Sequence, residues 1–150
     1  MPKNKNKKIP APNLPEISSF VPNQPLKTLR DDVNHNKLMP HLSFHHFDES
    51  SECISDWTSS EAKQLFAKLR QLSQTTWQEI LSSRGLGYKE IQNSGSLSRQ
   101  WPARLSTDCT MSEIRISQKS RIFGVRRERA FYLVWLDRNH EILPENKQRR

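Results

Sequence analysis

Arg121-Ile-Phe-Gly-Val-Arg-Arg-Glu-Arg-Ala-Phe-Tyr-Leu-Val-Trp-Leu-Asp-Arg-Asn-His140 is the stretch that decides the fold. It reads as two strands joined by a tight turn at Arg127-Glu-Arg129. Arg121, Phe123 and Val125 share one face of the first strand, with Ile122, Gly124 and Arg126 on the other. In the second strand Phe131, Leu133 and Trp135 alternate with Tyr132, Val134 and Leu136, so both faces are apolar. Such a strand is covered on both sides and sits inside its sheet. It ends in Asp137-Arg-Asn-His140, which places cationic and titratable groups at one sheet end.

Working outward, Ser112-Glu-Ile-Arg-Ile-Ser117 alternates Ile114 and Ile116 against Glu113 and Arg115, and adds a third strand of a meander. Upstream, Thr58-Ser-Ser-Glu61 fits a capping box, and Ala62, Leu65, Phe66, Leu69 and Leu72 recur at helical spacing, which predicts a helix over 59–72. Thr76 and Glu79 repeat the cap. Trp77, Ile80 and Leu81 form the next apolar stripe, with Gly85 as its stop. The short link makes the two helices an antiparallel pair. Leu42 to Asp48 reads as a first strand. The expected fold is α+β: a small antiparallel sheet packed on one face by an α-hairpin, in β-α-α-β-β-β order. Residues 85–110 form a long loop with at most one short strand, and loops of that length are often functional.

The chain has 150 residues, enough for one domain and a tail. Residues 1–40, with four early lysines and then a run of prolines, read as a disordered basic leader. The domain is expected over 41–144, with a basic tail at 145–150. The net charge is +8, and it divides as +4 over 1–40, −1 over 41–110 and +5 over 111–150. A polyanion is therefore the first partner to consider. No apolar run approaches the roughly 20 residues of a membrane span, so no membrane partner is expected. Cys53 and Cys109 lack zinc-site spacing and read as free thiols, which suits the cytoplasm. His45, His46 and Asp48 are metal ligands by type, but neighbouring strand residues point to opposite faces, so neither a metal nor another cofactor is expected.

The order of elements, with Ile114-Arg-Ile116, Ser120-Arg-Ile-Phe-Gly-Val125 and Phe131-Tyr-Leu-Val-Trp-Leu136, resembles the RelE/ParE superfamily of small basic toxins from toxin–antitoxin systems. The similarity covers about 42–142. It implies a metal-independent endoribonuclease that cuts mRNA, at the ribosome, with an antitoxin protein as partner. Arg121 falls where RNA-cleaving members hold a phosphate-binding arginine, and His140 where they hold a general acid. Lys89 and Glu90 are candidates for the general base, beside Tyr88 and Tyr132. Gly124 departs from the family's usual tyrosine, and the 85–110 loop and the leader are longer than usual. Some members of the same fold are gyrase poisons rather than nucleases.

Cleavage of RNA without a metal requires a base for the 2′-hydroxyl, cations for the phosphate and an acid for the leaving oxygen. Arginine suits the second task through its planar fork, and histidine the third through its pKa near working pH. Arg115, Arg126, Arg127, Arg129 and Arg138 are further candidates for phosphate contact, and Trp101 for stacking on a base. Arg115 and Arg121 share a sheet surface if the register allows it, whereas Arg126 faces away. A nucleic-acid-binding accessory protein without catalysis is the alternative reading of the same basic strands.

Overall fold

The computed structural model describes residues 33–50 and 54–144. The 1–32 part of the basic leader, Cys53 and the 145–150 tail lie outside the described residues. From Asn34 onward the elements are β1 (His41–Ser43), α1 (Ser59–Ser73), α2 (Trp77–Ser82), β2 (Lys89–Glu90), β3 (Met111–Arg115), β4 (Arg121–Arg127) and β5 (Ala130–Asp137). The fold is α+β, with one five-stranded sheet in the order β1-β5-β4-β3-β2. The β3-β4-β5 meander is antiparallel as expected, and β5 is internal. One feature differs from expectation, in that β1 joins β5 in parallel; the one short strand allowed to the long loop is the edge strand β2. Residues 34–40, expected within the leader, belong to this unit. They form a 3-10 turn at His35–Lys37, and the Leu38 carbonyl accepts from the Trp77 amide at 3.0 Å.

Both helices start where their caps are written. Thr58 and Glu61, and Thr76 and Glu79, close reciprocal capping boxes. The Thr58 amide, bonded to the Glu61 carboxylate at 2.8 Å, is the main reason that the carboxyl lies below its ordinary range; the Thr76 hydroxyl does the same for Glu79. A carboxyl lowered in the folded state stabilises the fold above its unfolded pKa of about 4.3, and that contribution is lost as pH falls through the folded value. The thermal midpoint of the Glu61→Gln/Glu79→Gln double variant should therefore fall less than wild type's between neutral pH and about pH 3. Thr58→Ala should cost about 1 kcal/mol in urea melts at neutral pH; equal acid sensitivity in the wild type and the double variant would count against the boxes.

The sheet is covered on both faces. Leu65 and Leu72 of α1, Trp77 and Ile80 of α2, and Trp57 pack on Ile114, Ile122, Phe131, Leu133 and Leu136. Phe66 and Leu81, expected in the apolar stripes, are instead exposed, Phe66 by 63%. Their positions lie at the margin of each stripe, turned off the sheet. The second face carries Met111, Phe123, Val125, Val134 and Trp135, and the loop covers it with Ile91, Leu97, Trp101 and Leu105, together with Ile142. Asp137 clamps this cover in place: its carboxylate accepts from the Glu141 and Ile142 amides, both at 2.9 Å, and the Ile142 carbonyl accepts from the Ser98 amide at 2.8 Å.

The period-two reading of β5 holds as far as Leu133. There the register slips: Gly124 opposes Leu133 whereas Phe123 opposes Trp135. Val134 is the extra residue of a β-bulge. Val134 and Trp135 consequently both join the loop-side core, and Leu136 returns to the helix side. Leu42 to Asp48 is likewise not one strand. Pairing stops at Ser43, and a turn closed by the Phe47 amide on the Phe44 carbonyl follows, so Asp48 reaches β5 from a new direction. There its carboxylate accepts from the Trp135 indole at 3.1 Å and from the Ser50 hydroxyl at 2.6 Å.

Candidate nucleic-acid interface

Arg121 is buried, with 6% of its surface exposed. Its Nη1 donates to the carbonyls of Ser117 at 2.8 Å and Ser120 at 3.0 Å, so it ties down the turn between β3 and β4. In register it stands between Asp137 on β5 and Arg115 on β3. The expected sharing of a row by Arg115 and Arg121 is therefore met in the backbone, but Arg115 is exposed and its side chain lies over Gly87, whose φ is +56°. His140 follows β5 in a left-handed turn with φ +60°. Lys89 and Glu90 are exposed on the edge strand β2. Between β2 and β5 lie β3 and β4, about 14 Å at the usual strand spacing. The structure thus leaves Arg121 and His140 at one sheet end and sets Lys89 and Glu90 on a distant edge.

The other basic residues are mostly engaged. Arg138 pairs with Glu61 at 2.9 Å, joining the β5 exit to the start of α1. Arg129 donates to the Met39 carbonyl at 2.8 Å. Arg126 lies over the Trp77 ring, 4.2 Å from its centroid, and donates to the Asn36 side chain and to the Glu128 carbonyl. Arg127 is exposed. Trp101 is half-buried against the loop-side core and donates its indole N–H to the Leu105 carbonyl at 2.9 Å, so it pins the loop to the domain while also lining a cleft.

Arg126, Arg127 and Glu90 meet in one cleft of about 440 Å³, with Tyr88, Ser112, Tyr132 and His46 in its wall. The topology brings them together. β2 pairs Glu90 with Ser112, β3 pairs Ser112 with Gly124 two residues before Arg126, and the parallel pairing of β1 with β5 sets Ser43 beside Tyr132. The wall is a connected aromatic and polar set. Tyr88 Oη and Ser112 Oγ are 2.9 Å apart, and the Tyr88 ring meets Trp77 edge-on at 5.7 Å, on whose face Arg126 rests. Burial, opposed by the Ser112 hydrogen bond, pushes the Tyr88 phenol above its ordinary value. It therefore keeps its proton at neutral pH. Burial also lowers Arg126, but far from any pH at which a guanidinium loses its charge. The His46 ring lies 5.3 Å from Tyr132 and 4.7 Å from His45, and its Nδ1 is buried without a partner.

By sequence His46 reads as a metal ligand by type, and Tyr132 as a strand residue and one of the general-base candidates. Their meeting depends on the pairing of β1 with β5, for which a local pattern carries no signal. Among the described residues no three His, Cys, Asp or Glu side chains gather as a metal site, and no helix is long and apolar enough to cross a membrane. Comparison of the chain with protein-family models, with curated proteins and with solved structures finds no match.

Proposed function

We propose that this protein binds single-stranded RNA in the cleft of His46, Tyr88, Glu90, Arg126 and Arg127 and cleaves it without a metal. The observation that carries the reading is the cleft itself, where His46, the carboxylates Glu90 and Asp108, two guanidinium groups and two phenols line one nucleotide-sized cavity. Glu90 takes the 2′-hydroxyl proton and His46 returns one to the leaving 5′-oxygen, which conserves protons across the step. Arg126, held in place by Trp77, and Arg127 neutralise the phosphate, and Tyr88 donates to one of its oxygens. The RelE/ParE resemblance adds the setting to this proposal: mRNA at the ribosome, in the cytoplasm, under the control of an antitoxin.

The test uses the purified full chain and a 5′-labelled single-stranded RNA in EDTA. Wild type should cut it. Glu90→Gln and His46→Ala should each slow cleavage by about 10²- to 10⁴-fold with unchanged thermal midpoints, whereas a His140→Ala protein should cut normally. A specific observation favours the second reading, binding without catalysis: Arg126 is already committed to Trp77 and Asn36. Salt-dependent binding of intact RNA by the wild type would establish that reading and defeat the nuclease.

A further inference from the structure

A second cavity of about 540 Å³ adjoins the first, and His46 belongs to the wall of both. Its other side is built by the long loop, with Gln100, Trp101 and Arg104, and it faces Asp48 and Glu49. We infer that this cavity is the subsite for the next nucleotide of a single-stranded RNA, with His46 at the junction; the inference rests on the reading of the first cleft as an RNA site. Each cavity falls in the size range of a small-ligand pocket. An aromatic ring beside a guanidinium is what a stacked base and its phosphate require. Trp101 is fixed for that task, because its N–H is held by the Leu105 carbonyl and its partly buried ring packs against the loop-side core.

The two carboxylates do not act alike. Asp48 is occupied by Ser50 and Trp135, and Arg99 stands near enough to help hold its carboxyl low. Glu49 is exposed, and its carboxylate repels phosphate from its side of the cavity. The backbone of the RNA is thereby directed along Arg104, which is exposed. The loop that closes the second sheet face then has a second use: it carries the base platform. A charged strand entering past Arg127 passes His46 and leaves past Arg104.

Fluorescence anisotropy of the full chain with a labelled 2′-O-methyl octamer, which cannot be cut through its 2′-oxygen, tests this. Arg104→Ala should lower the slope of log affinity against log salt by about 0.7, the loss of one single-strand phosphate contact. Trp101→Ala should weaken binding by about tenfold, the low side of one base stack. Arg127→Ala should weaken it as well. If Trp101→Ala fails to fold, the surface variant Arg104→Ala decides alone. Unchanged affinity and slope in Arg104→Ala, with weakened binding in Arg127→Ala, would overturn the second subsite and leave the first standing. No binding by wild type, or none of its affinity lost in Arg127→Ala, would overturn both.

Discussion

Trp77→Ala should lose about 3–5 kcal/mol of unfolding free energy, the range for truncating a buried aromatic and a large share of a typical domain's 5–15. Trp77 is fully buried at the start of α2. Its ring touches Tyr88 and Phe131 edge-on, supports Arg126 on its face, and its N–H donates to the Arg129 carbonyl at 2.9 Å. That carbonyl also accepts from the His41 amide, so the backbone there keeps one partner. Most of the cost is consequently the cavity between α2 and the sheet. Trp77→Phe retains much of the packing and should lose less than half as much. Urea melts followed by circular dichroism measure both; a loss below about 1 kcal/mol for Trp77→Ala would mean that α2 does not close this core. On the proposed reading of the cleft, RNA binding should also fall further than stability accounts for, because Arg126 loses the Trp77 face it rests on.

Gly124→Ala should be the most damaging single-methyl change in the sheet. A Cβ there would lie 2.4 Å from the Tyr132 carbonyl oxygen and 2.6 Å from the Phe131 ring. Neither can be relieved by swinging a flexible side-chain end, since one is backbone and the other is packed under α2. Overpacking of this kind costs about 1–3 kcal/mol, and the backbone contact puts Gly124→Ala at the upper end. A double-mutant cycle with Phe131→Leu separates the two obstacles. Relief should be partial, because the Tyr132 oxygen remains. Full recovery in the double variant would show that the ring alone sets the requirement for glycine.

How much of this was legible in sequence depends on the range of each interaction. The capping boxes at Thr58 and Thr76 formed as written, since donor and acceptor are three residues apart. The meander formed as written, since its strands are joined by short links. The surroundings of Arg121 are also local, but the period-two strand pattern does not carry them. The resemblance put a phosphate-binding arginine at Arg121, and the Ser117–Ser120 turn just before it folds its carbonyls back onto the guanidinium, which is buried. Its proposed role in phosphate binding passes to Arg127 at the other sheet end. Trp101, expected by type as a base platform, also pins the loop through its indole bond to Leu105 and still lines its cleft.

Residues 85–110 show the same limit. Their polarity marked them as loop, and they are loop, apart from Lys89–Glu90 and a 3-10 turn at Ser94–Ser96. Their use as the cover of an apolar sheet face follows only from the existence of that face, which Val134 and Trp135 create together through the bulge.

By itself, the sequence determined the class of fold, the starts of both helices, the three meander strands and a basic balance concentrated at the chain's two ends. All of these are properties of composition or of neighbours a few residues apart. Tertiary structure decided which face each side chain takes after Leu133, that β1 lies beside β5, and that His46 and Tyr132 share a cleft with Glu90 and Arg126. One bulged residue inverts every later position of a period-two pattern, and pairing between distant strands is selected by the burial of the whole sheet rather than by either strand alone.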